Sequence, residues 1–188
     1  VADQLPAVTG LAERWGQSVF HCPYCHGYEL GQGRIGIVAT GAVSAHQAEL
    51  LTEWGEVTLL LNGAFELADD VRHTLEGRGV AIEHTPIDRI EGVADVVLAD
   101  GRVLSFAGLF TAPRCAPSSG VAAAAGCALE DGPMGTQIVT DAENKTSVRG
   151  IFACGDVARA PHSVSLAVGH GAMAGIQVHR SLVWPDAS

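Results

Sequence analysis

Two cysteines separated by two residues lie near the start of the chain. They are Cys22 and Cys25, within the segment HCPYCHGYE over residues 21–29. On one helical turn such a pair can close a small disulfide ring. A helix N-terminus or a neighbouring protonated histidine lowers a thiol pKa, so that the nucleophilic thiolate is populated. The segment therefore predicts a pair that exchanges electrons with other thiols.

The same spacing admits three other interpretations. Cys-x-x-Cys-His is also the attachment motif of c-type haem, the two cysteines and their flanking histidines are residue types that ligate zinc, and both cysteines could be inert core residues. The nucleotide-binding pattern that follows the motif favours a redox pair over haem. No second Cys-x-x-Cys follows, and Cys115 and Cys127 are too far apart to supply one, so we expect no metal.

The residues after the motif predict a parallel α/β unit. Residues 34–39 form a β-branched run, residues 45–54 place apolar side chains at helical spacing, and residues 56–61 form a second strand with almost no polar alternation. Such strands are covered on both faces of a parallel sheet. Further predicted elements are a helix at 71–77, a third parallel strand at 80–82 and a hairpin about Asp100-Gly101.

The turn between the first strand and its helix is where a dinucleotide would bind in such a unit. A complete fingerprint has glycine at three positions that here hold Ala39, Gly41 and Ser44. After the second strand comes Asn62, where an arginine would meet the 2′-phosphate of NADP and an acid would meet the ribose of NAD. We expect Gly41, Ser44 and Asn62 to line a weak NAD(P)H site that does not prefer NADPH.

A second candidate site follows an apolar run, predicted as a strand over residues 150–156, that ends in Gly155-Asp156. A carboxylate at the C-terminal end of a parallel strand can accept hydrogen bonds from the ribityl hydroxyls of a flavin. A closing helix is predicted from about Ser163, and its first amides could face the flavin pyrimidine edge, which gains negative charge on reduction. We assign Gly155, Asp156, Ser163 and Val164 to this candidate FAD site.

The charge and cysteine content of the chain limit which classes of partner and which cellular location are expected. The net charge is −10 and no Lys/Arg cluster is present, which argues against nucleic acid and anionic membrane surfaces as partners. No apolar run approaches the ~20 residues that a membrane helix needs. The five cysteines are an odd number at irregular spacing, unlike the framework of a small secreted protein, so we expect a cytoplasmic location.

The order of these motifs resembles the low-molecular-weight thioredoxin reductases. CPYC, the altered βαβ unit, the hairpin and TSVRGIFACGDV before a glycine-rich helix carry the resemblance, which covers essentially the whole chain. It implies an α/β fold with a Rossmann-like, three-layer NAD(P)-binding domain at 21–112 that carries the Cys-x-x-Cys. Residues 113–188 would be the C-terminal half of a split FAD-binding domain, and residues 1–20 a connector.

The resemblance also implies an activity. Electrons would pass between FAD and the Cys22–Cys25 pair, and the substrate would be a thiol or disulfide of a small protein or a small molecule, acted on by a homodimer. Cys22 would be the more exposed, attacking thiol and Cys25 the one nearer the flavin. The first half of the FAD domain, with its own GxGxxG, is expected to precede Val1, so residues 1–188 by themselves are expected to bind little or no FAD.

One departure from the family concerns the residue after the motif. His26 stands where the family has an aspartate proposed to handle protons, and an imidazole titrates nearer neutrality. CPYCHGYE also resembles the branch of dithiol oxidases that close disulfides in gliotoxin- and holomycin-like metabolites and pass the electrons to oxygen. NAD(P)H-driven disulfide reduction and oxygen-driven dithiol oxidation therefore both stay open, beside a non-enzymatic Rossmann-like module with zinc at the cysteines.

Overall fold

The computed structural model describes residues 1–185. Two compact units are distinguished: Leu5–Pro113, and Val1–Gln4 together with the chain from Arg114 onward. The strands are β1 Ala2–Gln4, β2 Val19–Phe20, β3 Arg34–Val38, β4 Glu56–Leu60, β5 Ala81–Glu83, β6 Ile87–Glu91, β7 Asp95–Leu98, β8 Val103–Ser105, β9 Gly108–Phe110, β10 Arg114–Ala116, β11 Leu129–Gly132 and β12 Gly135–Ile138. The α-helices are α1 Pro23–His26, α2 Val43–Leu51, α3 Asp69–Gly77, α4 Val121–Ala124 and α5 Val164–Val183.

The Leu5–Pro113 unit has three layers. Its centre is a parallel sheet in the order β2-β9-β3-β4-β5. Ile37 and Leu59 point to one face, where α2 and α3 pack, and Val38 and Leu60 point to the other, where the antiparallel sheet β6-β7-β8 packs. Because both faces are covered, the central strands are continuously apolar. The predicted α/β fold with a Rossmann-like unit is confirmed.

The hairpin of this unit also follows the prediction. β7 and β8 pair antiparallel, and Gly101 takes the positive φ of +87° that the turn requires. The Asp100 carboxylate accepts the Arg102 amide at 3.0 Å, and Arg102 continues to Glu83 on β5 at 2.8 Å. The hairpin is therefore tied by an ion pair to the edge of the parallel sheet.

The expected connector over residues 1–20 differs from the structure. Ala2–Gln4 forms β1, which pairs antiparallel with β10 at the edge of a four-stranded sheet, β1-β10-β12-β11. Leu11 is fully buried in the core of the Leu5–Pro113 unit, and Val19–Phe20 adds β2 to its parallel sheet. These strands are short and lie among Pro and Gly residues, so no periodicity revealed them.

In the C-terminal region, one element differs from the prediction and one follows it. The run 150–156 pairs only through one bridge, between Phe152 and Lys145, and its end, Gly155–Val157, is a 3₁₀ turn. The closing helix is present as α5, but Ala174 is its only buried residue. No helix among residues 1–185 is long and apolar enough to cross a membrane.

Candidate functional site

The predicted redox pair lies where the parallel sheet ends and a short helix begins. β2 ends at Phe20, Cys22 is the N-cap of α1, and Pro23 occupies its first turn, where no amide hydrogen is needed. The Cys25 amide donates to the Cys22 carbonyl at 3.1 Å, and the two sulfur atoms lie 2.7 Å apart. The turn thus brings both thiols within reach of one disulfide bond.

The two thiols differ in exposure, in the opposite sense from the expectation. Cys25 is exposed, whereas Cys22, two residues after the buried end of β2, is half-buried. The Cys25 thiol donates to the Cys22 sulfur. This hydrogen bond is the largest cause that raises the pKa of Cys25 to about 11, followed by desolvation and by the charges of Cys22 and Glu29. Cys25 therefore keeps its proton at neutral pH in the reduced pair.

His26 is held beside the pair by ring contacts. Its imidazole stacks on Phe20 with ring centroids 4.2 Å apart and an interplanar angle of 12°, and Phe20 in turn packs against Phe110 at 5.8 Å. The imidazole Nδ1 is buried and has no hydrogen-bond partner within residues 1–185. The ring is therefore fixed in place with one nitrogen uncommitted, as a group that takes up or delivers a proton would be.

Sequence reasoning missed the residues that support this turn. Trp54 packs edge-to-face on Tyr24, with centroids 5.5 Å apart, and a Cβ on Gly27 would lie 2.8 Å from the Trp54 ring. On α2, the Gln47 side-chain amide donates to the His21 carbonyl at 2.9 Å. The available signal was a glutamine among the apolar residues on the sheet-facing side of a predicted helix.

The zinc interpretation requires the histidines and cysteines at 21–26 to converge. In the part of the chain that the structure describes, no three His, Cys, Asp or Glu side chains form a group that could hold a metal ion. The two sulfur atoms instead face each other.

The structure places the nucleotide turn at the start of α2. Gly41 has a φ of +154°, and a Cβ there would meet no atom within 4 Å. The fully buried Ser44 hydroxyl accepts the Thr40 amide at 3.0 Å and so closes the turn itself. Asn62 has a φ of +47°, and its side-chain oxygen accepts the Ile87 amide at 2.8 Å. The Ser44 and Asn62 side chains thus serve the fold of the two loops.

A cavity of about 420 Å³ lies between α2, α3 and the loop after β4. Its lining is mainly apolar, with His46, Glu49 and Glu66 as its ionisable groups and no arginine or lysine. Glu49 is paired with Arg78 at 3.1 Å, so Glu66 is the carboxylate that would repel a phosphate approaching this cavity.

The candidate flavin residues are brought together at the start of α5. The Asp156 carboxylate accepts the Ser163 amide at 3.3 Å, and the adjacent Gly155 has a φ of +69°. A Cβ on Gly155 would lie 3.3 Å from the Cβ of Ala167, so glycine lets this turn pack closely against α5. The Val164 amide has no intrahelical acceptor, because it belongs to the first turn. A carboxylate and first-turn amides fit the polyol and ring edge of a flavin.

Comparison with known proteins agrees with this arrangement. The sequence pattern described as "Pyridine nucleotide-disulphide oxidoreductase" matches residues 2–171. The chain belongs to the pyridine nucleotide-disulphide oxidoreductase family. This family membership confirms the resemblance to thioredoxin reductases and supports an oxidoreductase, in a family that generally uses flavin and nicotinamide cofactors.

Several relatives of the chain are named thioredoxin reductases. It is 32% identical to thioredoxin reductase sirT of Leptosphaeria maculans, over 99% of this chain and 62% of the relative. Among solved structures, an oxidoreductase from Agrobacterium tumefaciens is 54% identical with a TM-score of 0.95, over 99% of this chain and 63% of that one. HlmI is 34% identical with a TM-score of 0.86, over 99% and 59%. The chain thus spans about three-fifths of these relatives.

Proposed function

We propose that this oxidoreductase is an FAD-dependent thiol–disulfide oxidoreductase that exchanges electrons between Cys22–Cys25 and a thiol or disulfide substrate. The observation that carries the proposal is the 2.7 Å approach of the two sulfur atoms at the start of α1, with Cys25 exposed. Membership of the family supports it.

The exchange balances as two sulfur displacements. In the oxidising direction, a substrate thiolate attacks the exposed Cys25 of the Cys22–Cys25 disulfide, and Cys22 leaves as a thiolate that takes up a proton. The second thiol of the substrate then attacks the substrate's first sulfur in the mixed disulfide and releases Cys25. The substrate leaves as a disulfide, and the pair holds two electrons and two protons. His26, stacked on Phe20 beside the pair, passes the proton of the attacking thiol on to the leaving sulfur. Disulfide reduction is the reverse sequence.

The residues at the start of α5 fit an FAD-binding role. Asp156, held by the Ser163 amide, would hold ribityl hydroxyls, and the Val164 amide would face the ring edge. Gly155 lets this turn pack closely against α5. The flavin would supply the two-electron partner that restores the cysteine pair. Gly41, Ser44 and Asn62 remain candidate contacts for a nicotinamide nucleotide.

A second candidate is dithiol oxidation with oxygen as the final electron acceptor. The observation that favours it is the nucleotide turn. Ala39 stands where the fingerprint has a glycine, and the side chains of Ser44 and Asn62 accept backbone amides of the protein itself. The neighbouring cavity carries Glu49 and Glu66 and no cationic Lys or Arg. An oxidase does not require a good NADPH site.

The first experiment tests the cysteine pair. The chain is oxidised with the disulfide form of dithiothreitol, and free thiols are counted before tryptic mapping. We expect two of the five thiols to be lost and a peptide with a Cys22–Cys25 bond to appear. Cys22→Ser and Cys25→Ser should each abolish the bond, and Cys127→Ser, at a buried thiol, should preserve it. Full alkylation of both thiols after oxidation would contradict the proposal.

The second experiment separates the two directions. A full-length, flavin-loaded protein is assayed for NADPH- and NADH-dependent disulfide reduction and for oxygen uptake in the presence of a small dithiol. Oxygen uptake without nicotinamide turnover favours the oxidase, and NAD(P)H-dependent reduction without oxygen uptake favours the reductase. Neither activity, with flavin bound, would contradict the proposed function.

A further inference from the structure

Gln47 on α2 reaches the backbone immediately before the redox pair. Its Nε2 donates to the His21 carbonyl at 2.9 Å, and the side chain is only 7% exposed. We propose that Gln47 is a positioning residue that fixes the backbone at Cys22 and so sets the redox equilibrium of the Cys22–Cys25 pair. This inference rests on the proposed function.

The position of His21 explains what the bond does. Phe20 is the last residue of β2 that pairs with β9. It lies opposite Phe110, and its carbonyl accepts the Thr111 amide at 2.9 Å. The His21 carbonyl is the next acceptor along the chain, beyond the end of β2. Cys22 follows at once in extended geometry as the N-cap of α1. A bond from α2 to His21 therefore fixes where the Cys-x-x-Cys turn starts relative to the sheet.

The other half of the amide argues that its role is more than packing. The Gln47 Oε1 is buried and has no hydrogen-bond partner within the described chain. Burying an acceptor without a partner costs at least as much free energy of folding as one ordinary hydrogen bond contributes. An apolar side chain of equal length would therefore fill the site at no loss to the fold. What only the amide provides is the fixed distance to His21.

The same helix also connects the pair with the nucleotide turn. Ser44 lies three residues before Gln47, on the same buried face of α2, and its hydroxyl accepts the Thr40 amide. A backbone held this way keeps the two sulfurs close together in the dithiol form. Pre-organisation of this kind favours the disulfide, so loss of the tether should move the equilibrium toward the dithiol.

The test measures that equilibrium in the whole chain. Gln47→Met keeps the length but removes the donor and the unpartnered oxygen together, and Gln47→Glu keeps the shape but removes the donor. Each variant is equilibrated with dithiothreitol and its disulfide, which takes up or supplies the two electrons and two protons, and then acid-quenched, alkylated and quantified by mass. We expect the equilibrium constant to shift about fivefold toward the dithiol, which is about 20 mV for a two-electron couple.

The control is Gln17→Met, because Gln17 also donates from a side-chain amide to a backbone carbonyl, that of Glu13 at 3.3 Å, but is exposed. Gln17→Met should leave the dithiol–disulfide equilibrium of Cys22 and Cys25 unchanged. Gln47→Met should have the same melting temperature as the unchanged chain. Folded Gln47 variants with the control's equilibrium would overturn the inference and leave the proposed function intact. Loss of the fold in both variants would also overturn it, since Gln47 would then serve the fold. If the unchanged chain forms no Cys22–Cys25 disulfide at any ratio, the proposed function itself fails.

Discussion

Replacing Cys22 by alanine should make Cys25 more reactive. In the reduced chain, Cys25 donates its proton to the Cys22 sulfur, and this bond is the largest cause that raises the pKa of Cys25 from 9.0 to about 11. Cys22→Ala removes that bond and the charge of Cys22. Desolvation and the charge of Glu29 remain, so the pKa should fall toward 9.0 without fully reaching it.

The size of the effect follows from two opposing terms. At about pH 8, a thiol with a pKa of about 11 is ~0.1% ionised and one with a pKa of 9.0 is ~9% ionised, a gain of up to about 100-fold in thiolate. Nucleophilicity falls as the pKa falls, with a Brønsted coefficient of about 0.4–0.5, which removes a factor of up to about ten. The net expectation is a rise of roughly three- to tenfold in the alkylation rate of Cys25.

The assay is iodoacetamide labelling of the fully reduced chain, with the rate at Cys25 followed by peptide mass spectrometry between about pH 6 and pH 10. In Cys22→Ala the rate should begin to rise at a lower pH than in the unchanged chain. The control is Cys127→Ala, because Cys127 is buried and belongs to the other unit, and it should leave the Cys25 profile unchanged. An unchanged or slower Cys25 rate in Cys22→Ala would refute the hydrogen bond as the cause.

Three further outcomes are expected. Gly27→Ala should lower the free energy of unfolding by ~1–3 kcal/mol, because its Cβ would lie 2.7 Å from the Pro23 carbonyl oxygen. The control is Gly77→Ala, whose new Cβ has no atom within 4 Å and which should be neutral or stabilising. Equal denaturant midpoints for the two variants would contradict this prediction. Arg102 donates to Glu83 and lowers the pKa of Glu83 from 4.5 to about 2, so this carboxylate stabilises the fold above pH 4.5 and the stabilisation is lost as the pH falls toward 2. Glu83→Gln should therefore cost ~1 kcal/mol at neutral pH and nothing below about pH 2, and melting curves that differ equally at all pH values would rule this out. In a full-length protein, calorimetric titration should show NADPH binding no more tightly than NADH. A clear preference for NADPH would refute the inference that Glu66 repels a phosphate at this cavity.

Local chemistry made several features predictable from the sequence. Cys22 and Cys25 meet because they are three positions apart on one helical turn, whatever surrounds that turn. β3 and β4 were predictable because a strand covered on both faces has to be apolar along its length. The turn at Gly101 follows from a residue that tolerates positive φ. Each of these signals lies within a few consecutive residues.

The tertiary structure decided which groups meet across long separations. β1 pairs with a strand more than a hundred residues later, and Gln47 bonds to a carbonyl 26 residues earlier. His26 lies on Phe20 because the end of β2 is fixed by β9, and the same burial makes Cys22 the less exposed thiol. The sequence of a short strand, or the presence of a glutamine in a helix, does not indicate which residue will be its hydrogen-bond partner. Its partner is set by which surfaces the packed sheet brings within hydrogen-bonding distance.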